Sequence, residues 1–566
     1  MRMREPYDRA PTEPGPDGGV PWAASSHPPG LERDERSFIT RAGVMWILDQ
    51  VTSVQDTPTP TRPHPSVTTL RAVNGIVAAG LTIGVGQLVA SVFDRAASPL
   101  FAVGSAVIDL TPKPVREFAI STFGTGDKTA LLVGMGVIVA LLAVVAGLLE
   151  SARRWWGSAL FAAFGALGVA AAVTRPAAGA WWFLPTVLGV AAGIAFLRFM
   201  AVRLDSPTTD EAGTGPDRRT FLLGASGAGA AAVVTGVAGS ALDHFFNDVS
   251  RDRSAFSVPR AVNTIDQSAG DDDGATPFIT DNGDFYRIDT ALQPPQLTSG
   301  AWSLRIHGMV DREVRIDMAA LRRMPAIEKM VTLTCVSNEV GGDLIGNATW
   351  TGYRLRDLLA MAGASDDADM VLSTSSDGFT AGTPLEALTD DRDSLLAVAM
   401  NGKPLPIEHG YPARMVVPGL YGYVSATKWV VSLEVTRFDR AKAYWSTRGW
   451  SEKGPIKTSS RIDVPRDSAT VNAGRVAVGG VAWAQPRGIN AVQVKVDDGP
   501  WQSARLLAPD NIDTWRLWSW DWDATSGDHT LTVRAIDGEG RQQSAVVSRP
   551  DPDGSTGLHT IDVSVS

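Results

Sequence analysis

Cys335 is the one cysteine in 566 residues, so any thiol chemistry must proceed without a second thiol from this chain. That excludes an intramolecular disulfide framework and any all-cysteine zinc or iron–sulfur site within one chain. No C-x-x-C-H run is present for covalent haem. Cys335 sits in Met330-Val331-Thr332-Leu333-Thr334-Cys335-Val336-Ser337-Asn338, a β-branched run ending in a polar turn. A lone cysteine on a strand ordinarily serves as a small buried hydrophobe. The glycines that follow, Gly341, Gly342, Gly346 and Gly352, reverse that reading because they allow close backbone approach.

The elements around this thiol read as α+β. Ser303–Ile306, Val331–Val336 and Met370–Ser373 have strand character, and Tyr353–Met361 has the apolar face of a helix. From Thr458 the pattern changes to short alternating strands and Gly/Asp turns. Val492, Val494 and Val496 alternate, as do Trp518, Trp520 and Trp522, and Leu531, Val533 and Ala535. That spacing predicts an all-β sandwich. Net charge is −10, which argues against a general nucleic-acid binder. A hydrophobic share of 44% with 20% charged residues excludes a wholly disordered or collagen-like chain.

Ahead of this soluble block lie five uncharged stretches: Ala72–Phe93, Thr129–Leu149, Trp155–Thr174, Pro176–Leu197 and Thr220–Leu242. Each is long enough to cross a hydrocarbon core of about 30 Å at 1.5 Å per residue. Ala96–Ile108 is apolar but too short to span, and reads as re-entrant or interfacial. Asp217-Arg218-Arg219-Thr220-Phe221-Leu222-Leu223 opens the last, mildly hydrophobic span and resembles an internal twin-arginine export signal. It sets Arg219 and the N-terminus in the cytoplasm and everything after Asp243 outside. That route carries folded proteins, so it predicts a cofactor inserted before export. Residues 1–68 are rich in Pro, Gly and charge and read as a disordered cytoplasmic tail.

The soluble block resembles the sulfite oxidase family of molybdopterin oxidoreductases. The matching pieces are Asn282 with Phe285-Tyr286-Arg287, Trp302 to Gly308, Leu333 to Asn338, Ala348 to Gly352 and Ser376 to Phe379. Met400 to Pro406, His409 to Arg414, Val417-Pro418-Gly419 and Tyr421-Gly422 through Lys428-Trp429 complete the set. The resemblance implies a molybdenum–molybdopterin cofactor with Cys335 as the metal's protein ligand. It implies cofactor contacts from Asn282, Tyr286, Arg287, Thr374, His409, Arg414, Ser425, Thr427 and Lys428, with Tyr286 and Arg287 also near the metal. On their own, Arg414 reads as a salt-bridged strand residue and His409 as a loop histidine. Expected domains are a tail (1–68), a membrane domain of five helices (69–243), a linker (244–274), the molybdopterin domain (275–445) and an Ig-like sandwich (446–566), which resembles the family's often dimerising C-terminal domain.

The departures bear on substrate. No arginine follows Cys335 until after Trp350, and Tyr423-Val424-Ser425 stands where sulfite oxidases carry Gly-Ala-Arg. Arg287 is then the one expected substrate cation, in a site lined by Glu339, and sulfite would be poorly held. The expected activity is two-electron oxygen-atom transfer on a small sulfur or nitrogen oxide. The alternatives are a reductase of the methionine-sulfoxide type and a non-catalytic, membrane-tethered binding or adhesion protein. None of the seven histidines lies in the five stretches, so an external cytochrome or quinone-linked protein is expected to handle electrons. The other expected partners are the lipid bilayer and a second copy, paired through the sandwich.

Overall fold

The structure, a computed structural model, describes residues 66–112, 126–175, 178–205, 218–263, 276–507 and 511–566, with 114, 115, 118, 122, 123 and 265 between them. The expected tail (except 66–68), Asp217 of the twin-arginine motif and residues 266–274 of the expected linker lie outside the described residues.

The long apolar runs and the shorter Pro99–Leu110 run become helices. These are α1 (Val67–Phe93), α2 (Pro99–Leu110), α3 (Asp127–Leu149), α4 (Trp156–Val173), α5 (Leu184–Asp205) and α6 (Arg218–Asn247). All but α2 are long and apolar enough to span a membrane. α2 has 12 residues and begins with Pro99 in its first turn, where the missing N–H costs nothing. α1 packs against α3, α5 and α6. Small residues permit this, because without bulky side chains the helix backbones can approach closely. A Cβ added at Gly147 would stand 2.1 Å from the Arg71 carbonyl oxygen.

The fourth span departs from its expected position, starting at Leu184 rather than Pro176 and running through Arg198 to Asp205. Uncharged sequence stops at Leu197, but Arg198 is neutralised. Its guanidinium donates to fully buried Glu150 at 2.7 Å and lies 3.9 Å from the Trp155 ring centroid. Glu150 also accepts from the Ser158 amide at 2.7 Å. A paired and hydrogen-bonded charge lets the helix continue where an isolated one would end it.

The expected linker is also partly ordered. α6 extends through 247, and α7 (Ser250–Ala255) docks on the soluble core. Asp252 accepts from the Ser299 amide at 2.6 Å and from the Tyr411 hydroxyl at 2.5 Å. Phe256 packs edge-on against Tyr411.

The central domain then forms β1 (Ser303–Gly308), β2 (Val314–Asp317), β3 (Ile327–Thr334), β4 (Ile345–Arg354), α8 (Leu355–Ala362), β5 (Met370–Ser375), β6 (Thr380–Pro384), β7 (Leu395–Met400), β8 (Lys403–Pro404), β9 (Arg414–Val416) and β10 (Val430–Thr436). One sheet has the order β2-β1-β10-β5-β6. The other has β3-β4-β7-β8, with β9 also on β7. Every β7 side chain is buried, consistent with its continuous apolar run Leu395-Leu396-Ala397-Val398-Ala399-Met400. The largest hydrophobic cluster centres on this domain, contains fully buried Trp350 and Tyr411, and reaches Val481, Trp483 and Leu517 of the C-terminal part.

The C-terminal part forms β11 (Ser459–Val464), β12 (Ala469–Val471), β13 (Gly474–Trp483), β14 (Ile489–Val496), β15 (Gln502–Ser503), β16 (Arg505–Leu506), β17 (Arg516–Ala524), β18 (Gly527–Asp537) and β19 (His559–Val565). Two sheets, β11-β13-β17-β16 and β12-β19-β18-β14-β15, share one core through Val478, Trp518 and Trp522 on one side and Val492, Val533 and Ile561 on the other. The alternating residues expected from sequence therefore face that core on β14, β17 and β18.

Gly147→Ile should separate α1 from α3 and destabilise the detergent-solubilised protein by about 1–3 kcal/mol, the usual cost of overpacking. Gly134→Ile, on the same helix but with nothing within 4 Å of its added Cβ, should change little. Thermal unfolding of the two variants checks the difference.

Candidate functional site

Cys335 is the first residue past β3, because the strand stops at Thr334, two residues short of the expected end at Val336. Its amide donates to the Leu344 carbonyl at 2.9 Å, and its carbonyl accepts from the Asn338 amide at 3.1 Å. The Asn338 side chain closes the turn by accepting from the Leu344 amide at 2.9 Å. The β-sandwich grips the same loop from outside. Ser555 donates to the Asn338 carbonyl at 2.7 Å, and Arg461 to the Gly342 carbonyl at 2.8 Å. Gly341 has φ +76° and lies against the His559 ring, where a Cβ would stand 2.3 Å from a ring carbon. A left-handed conformation beside a ring leaves only glycine.

The buried Sγ of Cys335 faces a cavity together with Val336 and Ser337. Burial pushes the thiol pKa up, although hydrogen bonds from Ser337 oppose the shift. Phe285 and Tyr286 form one wall, with ring centroids 5.2 Å apart in a stacked arrangement. Burial, then the nearby Cys335, raises the Tyr286 hydroxyl pKa, so it stays protonated and able to donate. His409, whose ring packs edge-on against Phe285 at 5.6 Å, and Arg414 continue the lining, brought together by a tight turn in which Gly410 has φ +109°. Burial and the neighbouring cations Arg414 and Lys428 push His409 down to about 3, so it is neutral.

Arg414 is 5% exposed and has no carboxylate partner among the described residues. Its guanidinium makes only long bonds to backbone carbonyls: His409 at 3.2 Å, and Met415 and Ala426 at 3.4 Å. Its Cζ lies 5.0 Å from the Trp350 ring centroid. A buried guanidinium without an anion is costly, so this one is arranged for an anion from outside the chain. Lys428, the other lining cation, is already paired. It donates to Asp289 at 2.9 Å and to the Glu408 carbonyl at 3.0 Å. The outer rim is aromatic: Phe379, Tyr423, Trp445 and Trp450.

Of the expected site residues, Cys335, Tyr286, His409, Arg414 and Lys428 converge on the cavity. The others stand behind it. Asn282 donates to the Met400 carbonyl at 3.2 Å, and Ser425 to the Leu420 and Tyr421 carbonyls. Thr427 pairs with the Ser373 hydroxyl at 2.7 Å, and Thr374 lies on β5 beside Ser375, which does line the cavity. Arg287, the expected substrate cation, stands beside the cavity rather than in its lining, close enough for its charge to act on His409 and Lys428. Its side chain is 42% exposed, turns onto Asp289 at 3.0 Å and is not among the lining residues. Glu339 is exposed and also absent from the wall. Arg354 and Arg356 are held elsewhere by Asp393.

Sequence reasoning missed Asp289, Asp377 and the aromatic rim. The Tyr444-Trp445…Trp450 cluster was a visible signal, but the expected boundary at 445/446 cut through it. Trp450 lines the cavity, and the first sandwich strand starts only at Ser459.

Residues 291–445 match the family model described as an oxidoreductase molybdopterin binding domain. The chain is 24% identical to the sulfane dehydrogenase SoxCD from Paracoccus pantotrophus, whose crystal structure overlays with a TM-score of 0.45, covering 50% of this chain and 81% of that one. It is 29% identical over 309 residues to mitochondrial sulfite oxidase of Homo sapiens, covering 46% of this chain and 56% of that one. It is 32% identical over 153 residues to the uncharacterized oxidoreductase YuiH of Bacillus subtilis, covering 27% of this chain and 74% of that one. The chain belongs to the sulfite oxidase family of molybdopterin oxidoreductases. It spans about half the length of the curated sulfite oxidases it matches.

The family's molybdenum–molybdopterin fits the residues present. Among the described residues no three His, Cys, Asp or Glu side chains gather to hold a metal. One thiol at the cavity floor therefore suits a metal that takes most of its ligands from a dithiolene. The acid-free guanidinium of Arg414 suits the pterin's phosphate.

Neutral burial of His409 makes this sulfite oxidase family member acid-sensitive. An unfolded histidine titrates near 6.5, and the folded one only near 3. The unfolded state therefore binds more protons between those values, and stability falls as pH drops through that window, by about 5 kcal/mol at most. Unfolding of the cofactor-free protein across pH 7 to 4 should show a shallower loss for His409→Asn than for wild type.

Proposed function

We propose that this chain is a molybdenum oxidoreductase that exchanges an oxygen atom with a small, neutral sulfur or nitrogen compound. The observation that carries this reading is the placement of a single buried thiol and an acid-free buried arginine on one cavity. In this reading Cys335 ligates the metal, and Arg414 grips the pterin phosphate. When bound, the cofactor supplies a two-electron oxygen-atom-transfer centre. Tyr286 and neutral His409 serve as hydrogen-bond donors. Lys428 is held by Asp289 in a fixed direction. Asn282, Thr374, Ser425 and Thr427 support the walls from behind.

The cavity's charge supports the neutral substrate. Among the described lining residues the cations are Arg414 and Lys428, one assigned to phosphate and the other neutralised. A dianion would meet no spare arginine, whereas the Trp445, Trp450 and Tyr423 rings suit a thioether or sulfoxide, since sulfur packs well against aromatic edges. A reductase of sulfoxides fits this rim as well as an oxidase running in the opposite direction. Each missing charge-assisted hydrogen bond contributes on the order of 1.5–3 kcal/mol. Purified holoenzyme with an artificial redox dye should therefore turn over a small sulfoxide–thioether pair at least about a hundredfold more efficiently than sulfite. Cys335→Ser should abolish both activities, and its loss of bound molybdenum would separate a ligand role from a merely structural one. A sulfite specificity constant inside the usual range of about 10⁴–10⁸ M⁻¹s⁻¹ would overturn the neutral-substrate reading.

We also infer that α1, α3, α4, α5 and α6 cross the membrane. The N-terminus is then cytoplasmic, and the catalytic domain and its Ig-like sandwich are extracytoplasmic. Support comes from the length and apolarity of the helices and from Arg218-Arg219 at the start of α6. A homodimer through the sandwich accompanies this reading. Changing both Arg218 and Arg219 to Lys should leave the first four spans inserted and strand the catalytic domain inside. In spheroplasts, added protease should then cut the wild-type domain and spare the variant. Equal cleavage of both would exclude twin-arginine export.

A further inference from the structure

We propose that the cleft between the membrane helices and the catalytic domain binds an isoprenoid quinone, which exchanges electrons with the catalytic site without an intervening cytochrome. This rests on the oxidoreductase reading above and names the redox partner.

The cleft encloses about 520 Å³. Its membrane side includes the aromatic rings of Phe101, on α2, and Trp182, just before α5. Trp182 offers a flat surface to a quinone ring, while the Phe101 ring carries the Arg95 guanidinium 5.2 Å from its centroid, and Asp94 lines the same side. Ser105 and Arg175 on the same side are donors matched to quinone carbonyls. Arg175 has no carboxylate partner among the described residues, so its charge is available to the oxygen that becomes negative on reduction. On the far side the cleft is closed by residues 291–297 and by Asp377, which also lines the catalytic cavity. One residue therefore belongs to the walls of both sites.

A second cavity, almost wholly apolar, adjoins α2. It encloses about 180 Å³ and takes its lining from Pro99, Leu100 and Val103 of α2 and from Val190 of α5. A polar ring site and an apolar tail site on one short helix match an amphiphile with a redox head and a long hydrocarbon chain. The junction is tied by direct bonds rather than by loose contact. Lys128 at the start of α3 donates to Asp289 at 2.7 Å and to the Ala291 carbonyl at 2.6 Å, and Tyr444 donates to Asp109 of α2 at 2.9 Å. The five apolar stretches contain no histidine, so this membrane block has no axial histidine pair for its own haem. A diffusible carrier is then the redox group this geometry can receive.

The stoichiometry closes. For a thioether-type substrate S and a quinone Q, S + H₂O + Q → SO + QH₂: water supplies the oxygen, and two electrons and two protons pass to the quinone. Reduction of the oxide by quinol is the same equation reversed.

The test uses full-length holoenzyme in detergent or lipid nanodiscs, with a short-chain ubiquinone and a short-chain menaquinone as probes. Quenching of tryptophan fluorescence reads binding independently of turnover, and an azidoquinone reads position by photolabelling. Saturable quenching and labelling on α2 or residues 175–184 are expected. Ser105→Trp, which fills the cleft, and Arg175→Ala, which leaves its volume open, should each weaken quinone affinity about tenfold or more, the equivalent of 1.4 kcal/mol. Quinone-linked turnover should fall in parallel while dye-linked turnover holds. Dye-linked turnover that is absent in wild type overturns the oxidoreductase reading, which quenching does not measure. Absence of saturable quinone binding, labelling confined elsewhere, or quinone reduction only after a cytochrome is added overturns the quinone site.

Discussion

Asp289 is the carboxylate on which the arrangement depends. Its side chain is 4% exposed and meets Lys128 from the membrane block at 2.7 Å, Lys428 from the cavity wall at 2.9 Å and Arg287 at 3.0 Å. Burial opposes its ionisation, but Lys428 and Lys128 hold it far below the usual carboxylate range. Lys428 shows the opposite balance, since burial outweighs Asp289 and brings it down to about 8. Burying Asp289 and Lys428 is tolerable because each has a partner, and removing Asp289 would strand Lys428. One side chain thereby ties the start of α3 to the catalytic domain and holds both Lys428 and Arg287.

The β-sandwich positions the site as well as extending the chain. Trp515 donates to the Phe278 carbonyl at 2.9 Å, and its amide donates to the Thr332 hydroxyl at 2.7 Å, three residues before Cys335. Lys329 pairs with Asp513 at 2.9 Å on the same strand. Together with Ser555 and Arg461 on the loop beyond, these bonds fix both flanks of the thiol. A metal ligand held on both sides keeps its direction without relying on a single turn, which is how outer contacts orient inner ones.

The segment Tyr423-Val424-Ser425 shapes the cavity's edge. Its tyrosine ring faces the cavity, its valine enters the core and its serine hydroxyl is spent on backbone carbonyls. Tyr423 donates to the Ser451 carbonyl at 2.6 Å, which brings the Trp450 segment over the entrance. The tripeptide therefore supports an aromatic wall built from beyond the catalytic domain's expected end.

What the sequence alone determined was local in origin. Long apolar runs became helices, alternating valines and tryptophans became the faces of β14, β17 and β18, and the run through Thr334 became the strand that presents Cys335. Each follows from the residue's own neighbours, within a few turns or pleats. His409 and Arg414 were marked out by the family resemblance alone; by their own neighbours they read as a loop histidine and a salt-bridged strand residue. Tertiary structure decided the rest. The fourth span runs past Leu197 because Glu150, 48 residues away, neutralises Arg198. Arg287 pairs with Asp289, and Asp289 in turn is bound by Lys128 from 161 residues earlier. Sequence displays a charge but not its partner, and inside a protein the partner decides whether that charge binds a ligand or merely holds the fold.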